Sequence, residues 1–148
     1  MDGMEMVPIL IADDDEDDRL LALDALEESR LRNPIFFVED GKELLEFLRN
    51  EGPYRDKAAY PRPGLILLDL NMPRMDGKSA LQILKADPRL KNIPVVVLTT
   101  SEQDIEVSET YALGANSYIV KPVQFSKLVE ALQVLGRYWL SVVRLPTV

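Results

Sequence analysis

Residues 9–21 read ILIADDDEDDRLL. Four apolar residues, Ile9 to Ala12, give way at once to six acids, Asp13 to Asp18, and leucines resume two positions later. A short, unbroken apolar run reads as a strand covered on both faces, because a strand with one wet face would alternate. The acids read as the opening of a helix, since exposed carboxylates in a first turn gain about 0.3–1 kcal/mol each from the helix dipole. The stretch therefore spells strand, tight turn, helix.

The same unit recurs along the chain. Apolar runs stand at PILIA (8–12), IFFVE (35–39), LILLDL (65–70), VVVLT (95–99) and SYIV (117–120). Helical patterns follow each of them. The first spans about 15–31 with Leu20, Leu23 and Leu26, and the second about 41–50 with Leu44, Leu45 and Leu48. The third, about 78–86, carries Ala80, Leu81 and Leu84 and stops at Pro88; the fourth, about 102–113, ends at Gly114, a C-cap glycine. The fifth, about 124–137, aligns Phe125, Leu128, Val129, Leu132 and Leu135 on one face. Strands alternating with helices at this spacing predict an α/β fold, a doubly wound five-stranded parallel sheet with right-handed crossovers and helices on both sides. One connection is long: NEGPYRDKAAYPRPG (50–64), with prolines at 53, 61 and 63. Loops of that length are often functional or variable.

Composition narrows the chemistry. The 148 residues suit one domain rather than two, with a core over about 8–137 and an apolar extension, 138–148. There is no cysteine and no histidine, so disulfides, thiolate chemistry and the commonest zinc ligand are excluded. A net charge of −8 argues against nucleic acid as a partner. No stretch approaches the ~20 apolar residues of a membrane span. The start, MDGMEMVP, lacks the basic and apolar regions of a secretory signal, so the expected location is the cytoplasm.

In open parallel sheets, ligands bind beyond the carboxyl ends of the strands. The first strand delivers Asp13 and Asp14 there, the third Asp69 and then Asn71, the fourth Thr99 and Thr100, the fifth Lys121. If the first and third strands are neighbours, three carboxylates and one ammonium share a cleft. Two unit charges about 5 Å apart repel by roughly 3 kcal/mol at an effective dielectric near 20, so a divalent cation is expected to neutralise the excess. Oxygen-only ligands select a hard ion, and a sparse carboxylate set suits Mg²⁺, with Asp13 and Asp14 as ligands and Asp14 the more direct of the two. Asp15 to Asp18 are read as solvated helix-cap residues. A lone strand-end aspartate is usually a cap too, but the company of Asp13, Asp14 and Lys121 reverses that for Asp69.

The acid pair Asp13–Asp14, LLDLNMPRMDG (67–77), VVVLTTS (95–101) and GANSYIVKP (114–122), in that order, resemble the receiver domains of two-component response regulators. The resemblance implies a flavodoxin-like (βα)5 fold with strand order 2-1-3-4-5. It implies that Asp69 is a phosphoacceptor for a phosphohistidine on a partner sensor histidine kinase. Asp14, the Asp69 side chain and the Asn71 main-chain carbonyl would hold Mg²⁺, with Asp13 acting mainly through water. Lys121 would pair with the acids and then with phosphoryl oxygens. Thr99 would be the switch hydroxyl, and Tyr118 the aromatic that changes rotamer with it. The Thr100 backbone N–H is a natural donor to the new oxygens. The resemblance also implies a cis Lys121–Pro122 bond. Such a protein is no turnover enzyme, though it catalyses its own phosphorylation and dephosphorylation.

Two rivals remain at this stage. A receiver that docks without being phosphorylated would normally show a broken acid cluster. A magnesium phosphohydrolase could use Asp13-x-Asp15, but its pattern wants Thr where Asp17 stands. The 50–64 loop, VVVLTTSEQDI (95–105) and YWLSVVRLP (138–146) resemble small single-domain regulators that pair with bacterial phytochrome kinases, which implies a light-regulated phosphodonor. Trp139, Leu140 and Val143 extend the apolar face of the fifth helix. They either pack on their own domain or build a homodimer with the fourth helix, fifth strand and fifth helix.

Overall fold

A computed structural model describes residues 7–142 and 144–146. Strands and helices alternate along the chain: β1 (Ile9–Ala12), α1 (Glu16–Glu28), β2 (Ile35–Val38), α2 (Gly41–Arg49), β3 (Leu65–Leu68), α3 (Gly77–Ala86), β4 (Val95–Thr99), α4 (Asp104–Ala112), β5 (Ser117–Val120) and α5 (Phe125–Arg137). The strands form one parallel sheet in the order β2-β1-β3-β4-β5, the doubly wound arrangement the sequence predicts. Among the described residues no helix is long and apolar enough to cross a membrane.

Successive strand side chains point to opposite faces, and both faces are covered. Ile9, Ile11, Leu65, Leu67 and Val96 pack with Ala22, Ala25 and Leu26 of α1 and Leu128, Leu132 and Leu135 of α5. Leu10, Ile66, Leu68, Val95 and Val97 face Leu44, Leu45 and Phe47 of α2 and Leu81 and Leu84 of α3. Three helices begin on an aspartate. Asp15, Asp40 and Asp76 accept backbone N–H groups of α1, α2 and α3, a cap that contributes about 1 kcal/mol each.

Two apolar assignments need correction. Of the expected line, Leu26 is buried and Leu23 half-buried, but Leu20 is 53% exposed; Ala22 and Ala25 complete the buried face of α1. Phe125, expected on the buried face of α5, is also exposed. It sits in the first turn, beyond the reach of the core beneath Leu128.

The 50–64 connection is folded down rather than loose. Asn50 closes α2 in the left-handed conformation (φ 52°), and its Nδ2 donates to the carbonyls of Tyr54 and Tyr60, each at 3.0 Å. Those two tyrosine rings join Phe47 at 5.2 and 5.6 Å, and Phe36 stacks edge-on to Phe47 at 5.5 Å. Each such pair adds about 0.5–1.5 kcal/mol beyond its buried area. The Tyr54 hydroxyl donates to Glu43 of α2.

After α5 the chain makes a π-helical turn, Tyr138–Val142. Leu140 and Leu145 are buried in the α1/α5 core and Trp139 packs partly against it, so this much of the extension covers its own domain. Val143 lies outside the described residues.

Gly77 opens α3 against the backbone that follows β3. A Cβ there would lie 2.7 Å from Leu70 Cα and collide with the Asp69 carbonyl oxygen. Gly77→Ala should therefore lower the urea midpoint, with a loss of about 1–3 kcal/mol from overpacking. An unchanged midpoint would show that the loop yields freely.

Candidate functional site

The register of the sheet builds the site. Ala12 of β1 stands beside Leu68 of β3, and the Asp69 N–H donates to the Ala12 carbonyl at 3.0 Å. The next residue of each strand is an aspartate, so Asp13 and Asp69 emerge side by side. Carboxylate oxygens of Asp13, Asp14 and Asp69 all lie within 4.8 Å of one another. Asp13 is 5% and Asp69 9% exposed, whereas Asp14 is open to solvent.

Each buried acid is held from several sides. Asp13 Oδ1 accepts the Asp15 N–H at 3.0 Å, and its main-chain carbonyl accepts from Arg19 at 2.8 Å. Asp69 Oδ1 accepts from Thr99 Oγ1 at 3.0 Å and from the Asn71 N–H at 3.3 Å. Thr99 is fully buried. Asp69 Oδ2 has the Lys121 ammonium at 3.9 Å, beyond hydrogen-bond length. Lys121 Nζ donates instead to Asp13 at 3.1 Å and to Asp18 at 3.2 Å.

A cleft of about 240 Å³ opens between α1 and α5 over these groups. Asp13, Asp18, Asp69, Thr100 and Lys121 form its polar floor and rim, and Leu21, Val123 and Phe125 stand exposed around it. Tyr118 lies to one side on β5, its hydroxyl donating to the Ser101 carbonyl at 2.8 Å. The Lys121–Pro122 bond corrects an expectation. Among the described residues no peptide is cis, in keeping with the trans preference of about 0.5–1 kcal/mol of an X–Pro bond.

Charge is unevenly matched. Asp13, Asp14, Asp18 and Asp69 face a single ammonium. Burial pushes the Asp13 carboxyl above the ordinary carboxylate range, and neither the Asp15 N–H nor Lys121 fully offsets it. Burial pulls the Lys121 ammonium down, but the charges of Asp13, Asp69 and Asp18 outweigh it and hold its pKa above normal. A hard divalent cation fits this donor set: converging carboxylates, one of them solvent-facing, in a chain without cysteine or histidine.

The structure thus gathers Asp13, Asp14, Asp69, Thr99 and Lys121 at one point, puts the Asn71 N–H on Asp69, and places Thr100 on the cleft wall. Asp15 does cap α1, through the Asp17 and Asp18 N–H groups. Asp18 departs from the cap role expected of it, because its carboxylate meets Lys121. No local signal distinguished Asp18 from its acidic neighbours; its partner lies 103 residues away. Phe125 at the cleft mouth was likewise expected on the apolar face of the fifth helix.

Comparison with known proteins bears on the fold as a whole. The family model for the response regulator receiver domain matches residues 9–133. Response regulator Rcp1 of Synechocystis sp. is 38% identical over 138 residues, covering 93% of this chain and 92% of Rcp1. The crystal structure of the phosphorylated cyanobacterial phytochrome response regulator RcpA superposes with a TM-score of 0.88 at 39% identity, covering 95% of this chain and 99% of that one. The Mn²⁺-bound form of Rcp1 superposes with a TM-score of 0.85 at 38% identity, with 95% and 99% coverage.

The raised pKa of Asp13 carries a sign. Its protonated form favours the fold, and that contribution fades as pH rises through the folded-state pKa, so at neutral pH the buried anion opposes folding. Asp13→Asn should raise the melting temperature of the metal-free protein at neutral pH. The gain should shrink toward acid pH, and Mg²⁺ should stabilise the wild type more than the variant. Melting curves across pH, with and without Mg²⁺, check both; a variant less stable at neutral pH would contradict the charge argument.

Proposed function

We propose a function from one premise, that the chain belongs to the response regulator receiver domain family: it accepts a phosphoryl group on Asp69 from a partner histidine kinase. The observation that carries this reading is the setting of Asp69, at the carboxyl end of a central strand. One of its oxygens is fixed by Thr99 and Asn71, and the other stands beside Lys121 in an open cleft.

The chemistry asks little beyond placement and charge. An Asp69 oxygen attacks the phosphorus of a phosphohistidine, the P–N bond breaks, and the imidazole leaves with the electron pair. The transition state is loose, so catalysis is mostly alignment and neutralisation. Lys121 supplies a positive charge to the phosphoryl oxygens. Asp14, the Asp69 side chain and the Asn71 carbonyl would hold Mg²⁺, with Asp13 through water; when bound, the ion adds the charge that Lys121 alone cannot. The Thr100 N–H and the Thr99 hydroxyl would donate to the incoming oxygens. The same machinery supports self-phosphorylation from small phosphodonors and slow self-dephosphorylation, without making the protein a turnover enzyme.

Asp69 then carries about −1.5 to −2 in place of one carboxylate charge. Thr99 leaves its bond to Asp69 Oδ1 to follow the new oxygens. The loop after β4 moves with it, and Tyr118, tied to that loop at Ser101, follows. The signal emerges on α4, β5 and α5. Val134 and Tyr138 are exposed there, and with Trp139 they suit a homodimer contact that includes the C-terminal extension.

The chain is a receiver related to phytochrome response regulators. That relationship supports a phytochrome-type kinase as the donor and a cytoplasmic setting, with a single-domain protein as the acting unit. The exposed Leu21, Val123 and Phe125 around the cleft supply an apolar seat for the kinase helix that presents the histidine.

Incubation with acetyl phosphate and Mg²⁺ should add one phosphoryl group by mass, lost with EDTA and absent in Asp69→Ala. Lys121→Ala should slow the transfer by about 10²-fold, the cost of removing one charge-stabilising donor. An unmodified wild type would favour a docking-only receiver. Sedimentation should show association that strengthens on phosphorylation. A monomer at every concentration in both states would remove the dimer.

A further inference from the structure

We infer that Asp18 is a positioning residue for phosphoryl transfer: it anchors the Lys121 ammonium on the α1 side of the cleft, and Lys121 must leave it to reach a phosphoryl group on Asp69. The inference rests on the reading of Asp69 as phosphoacceptor and adds a residue to it.

Three distances define the resting arrangement. Nζ of Lys121 lies 3.1 Å from Asp13, 3.2 Å from Asp18 and 3.9 Å from Asp69. The ammonium is thus hydrogen-bonded to two carboxylates that do not react and stands back from the one that does. Asp18 holds its place because α1 is pinned at this end. Asp15 Oδ1 accepts the Asp17 and Asp18 N–H groups at 2.9 and 3.3 Å, and Arg19 donates to the Asp13 carbonyl.

The two anchors differ in strength. The Asp13 side chain is 8% exposed and the Asp18 side chain 34%, so water competes far more for the Asp18 pair. A phosphoryl group arriving in the cleft presents three oxygens and more charge than Asp18 does. The Asp18 pair therefore breaks first, and Lys121 turns from the rim toward Asp69 while keeping Asp13. Asp18 sets a threshold on that turn. Without its carboxylate, Lys121 is available to the transition state from the start.

The test uses the whole chain with acetyl phosphate at saturating Mg²⁺ and constant ionic strength. In the measured step, an Asp69 oxygen bonds to phosphorus and the bond to the acetyl oxygen breaks, with acetate leaving as the anion. Asp18→Asn should raise the second-order rate constant about three- to five-fold, the upper range of a partly exposed ion pair in rate units. Asp18→Glu should return it toward wild type. Asp17→Asn removes the same charge one residue earlier, from a side chain with no Lys121 contact, and should stay within about two-fold of wild type. In a Lys121→Gln background, Asp18→Asn should give no gain. The ¹⁵N resonance of the Lys121 ammonium should shift in Asp18→Asn and not in Asp17→Asn, and melting curves should show the variants folded.

Equal rates for Asp18→Asn and Asp17→Asn would overturn the inference. So would the same acceleration without Lys121, which would reduce Asp18 to a diffuse repulsive charge. Either result leaves Asp69 as phosphoacceptor intact. A wild type that takes up no phosphoryl group overturns that parent reading and this inference with it.

Discussion

Mutual repulsion among Asp13, Asp14 and Asp69 is the constraint around which the carboxyl edge of this sheet is arranged. The sheet itself imposes the proximity: β1 and β3 pair in register, and the Asp69 N–H bonds to the Ala12 carbonyl, so the next side chains cannot avoid one another. Lys121 reaches in from β5 to hold the cluster, donating to Asp13 and Asp18. Burial still leaves Asp13 ionising with difficulty. A core filled with apolar side chains thus ends in a charged pocket that works against folding, a usual price of a functional site.

That tension gives the site its direction. Asp69 is neither fully paired nor free: Thr99 and Asn71 fix one oxygen while Lys121 stands short of bonding the other. A group that brings oxygens and charge into the cleft can recruit Lys121 and Thr99 together. Thr99 is buried at the end of β4, and Ser101, two residues on, carries the bond from Tyr118. A rearrangement at Asp69 therefore has a short covalent and hydrogen-bonded route to the β5 surface.

Much of this was legible in the order of residue types. Continuous apolar runs marked every strand, and the acids, threonines and lysine after them marked one edge, because parallel sheets bring all carboxyl ends together. What periodicity could not resolve was which of several apolar lines a helix buries. In α1 the buried face runs through Ala22, Ala25 and Leu26, and Leu20 and Leu21 are left exposed. The 50–64 segment reads as a loop, yet Tyr54 and Tyr60 fasten it to Phe47 through ring contacts that no local pattern announces. Asp18 is the clearest case. In sequence it is one acid among six, and only the fold brings Lys121 to it.

We propose that this acid-rich cluster leaves Asp69, and no other acid, reactive toward phosphorus. An acyl phosphate is reduced by borohydride to an alcohol, so the modified aspartate becomes homoserine and can be located by peptide mass mapping. After treatment with acetyl phosphate and Mg²⁺, homoserine should appear at position 69 alone. Homoserine at Asp13, Asp14 or Asp18, or its absence from position 69, would overturn the assignment of Asp69.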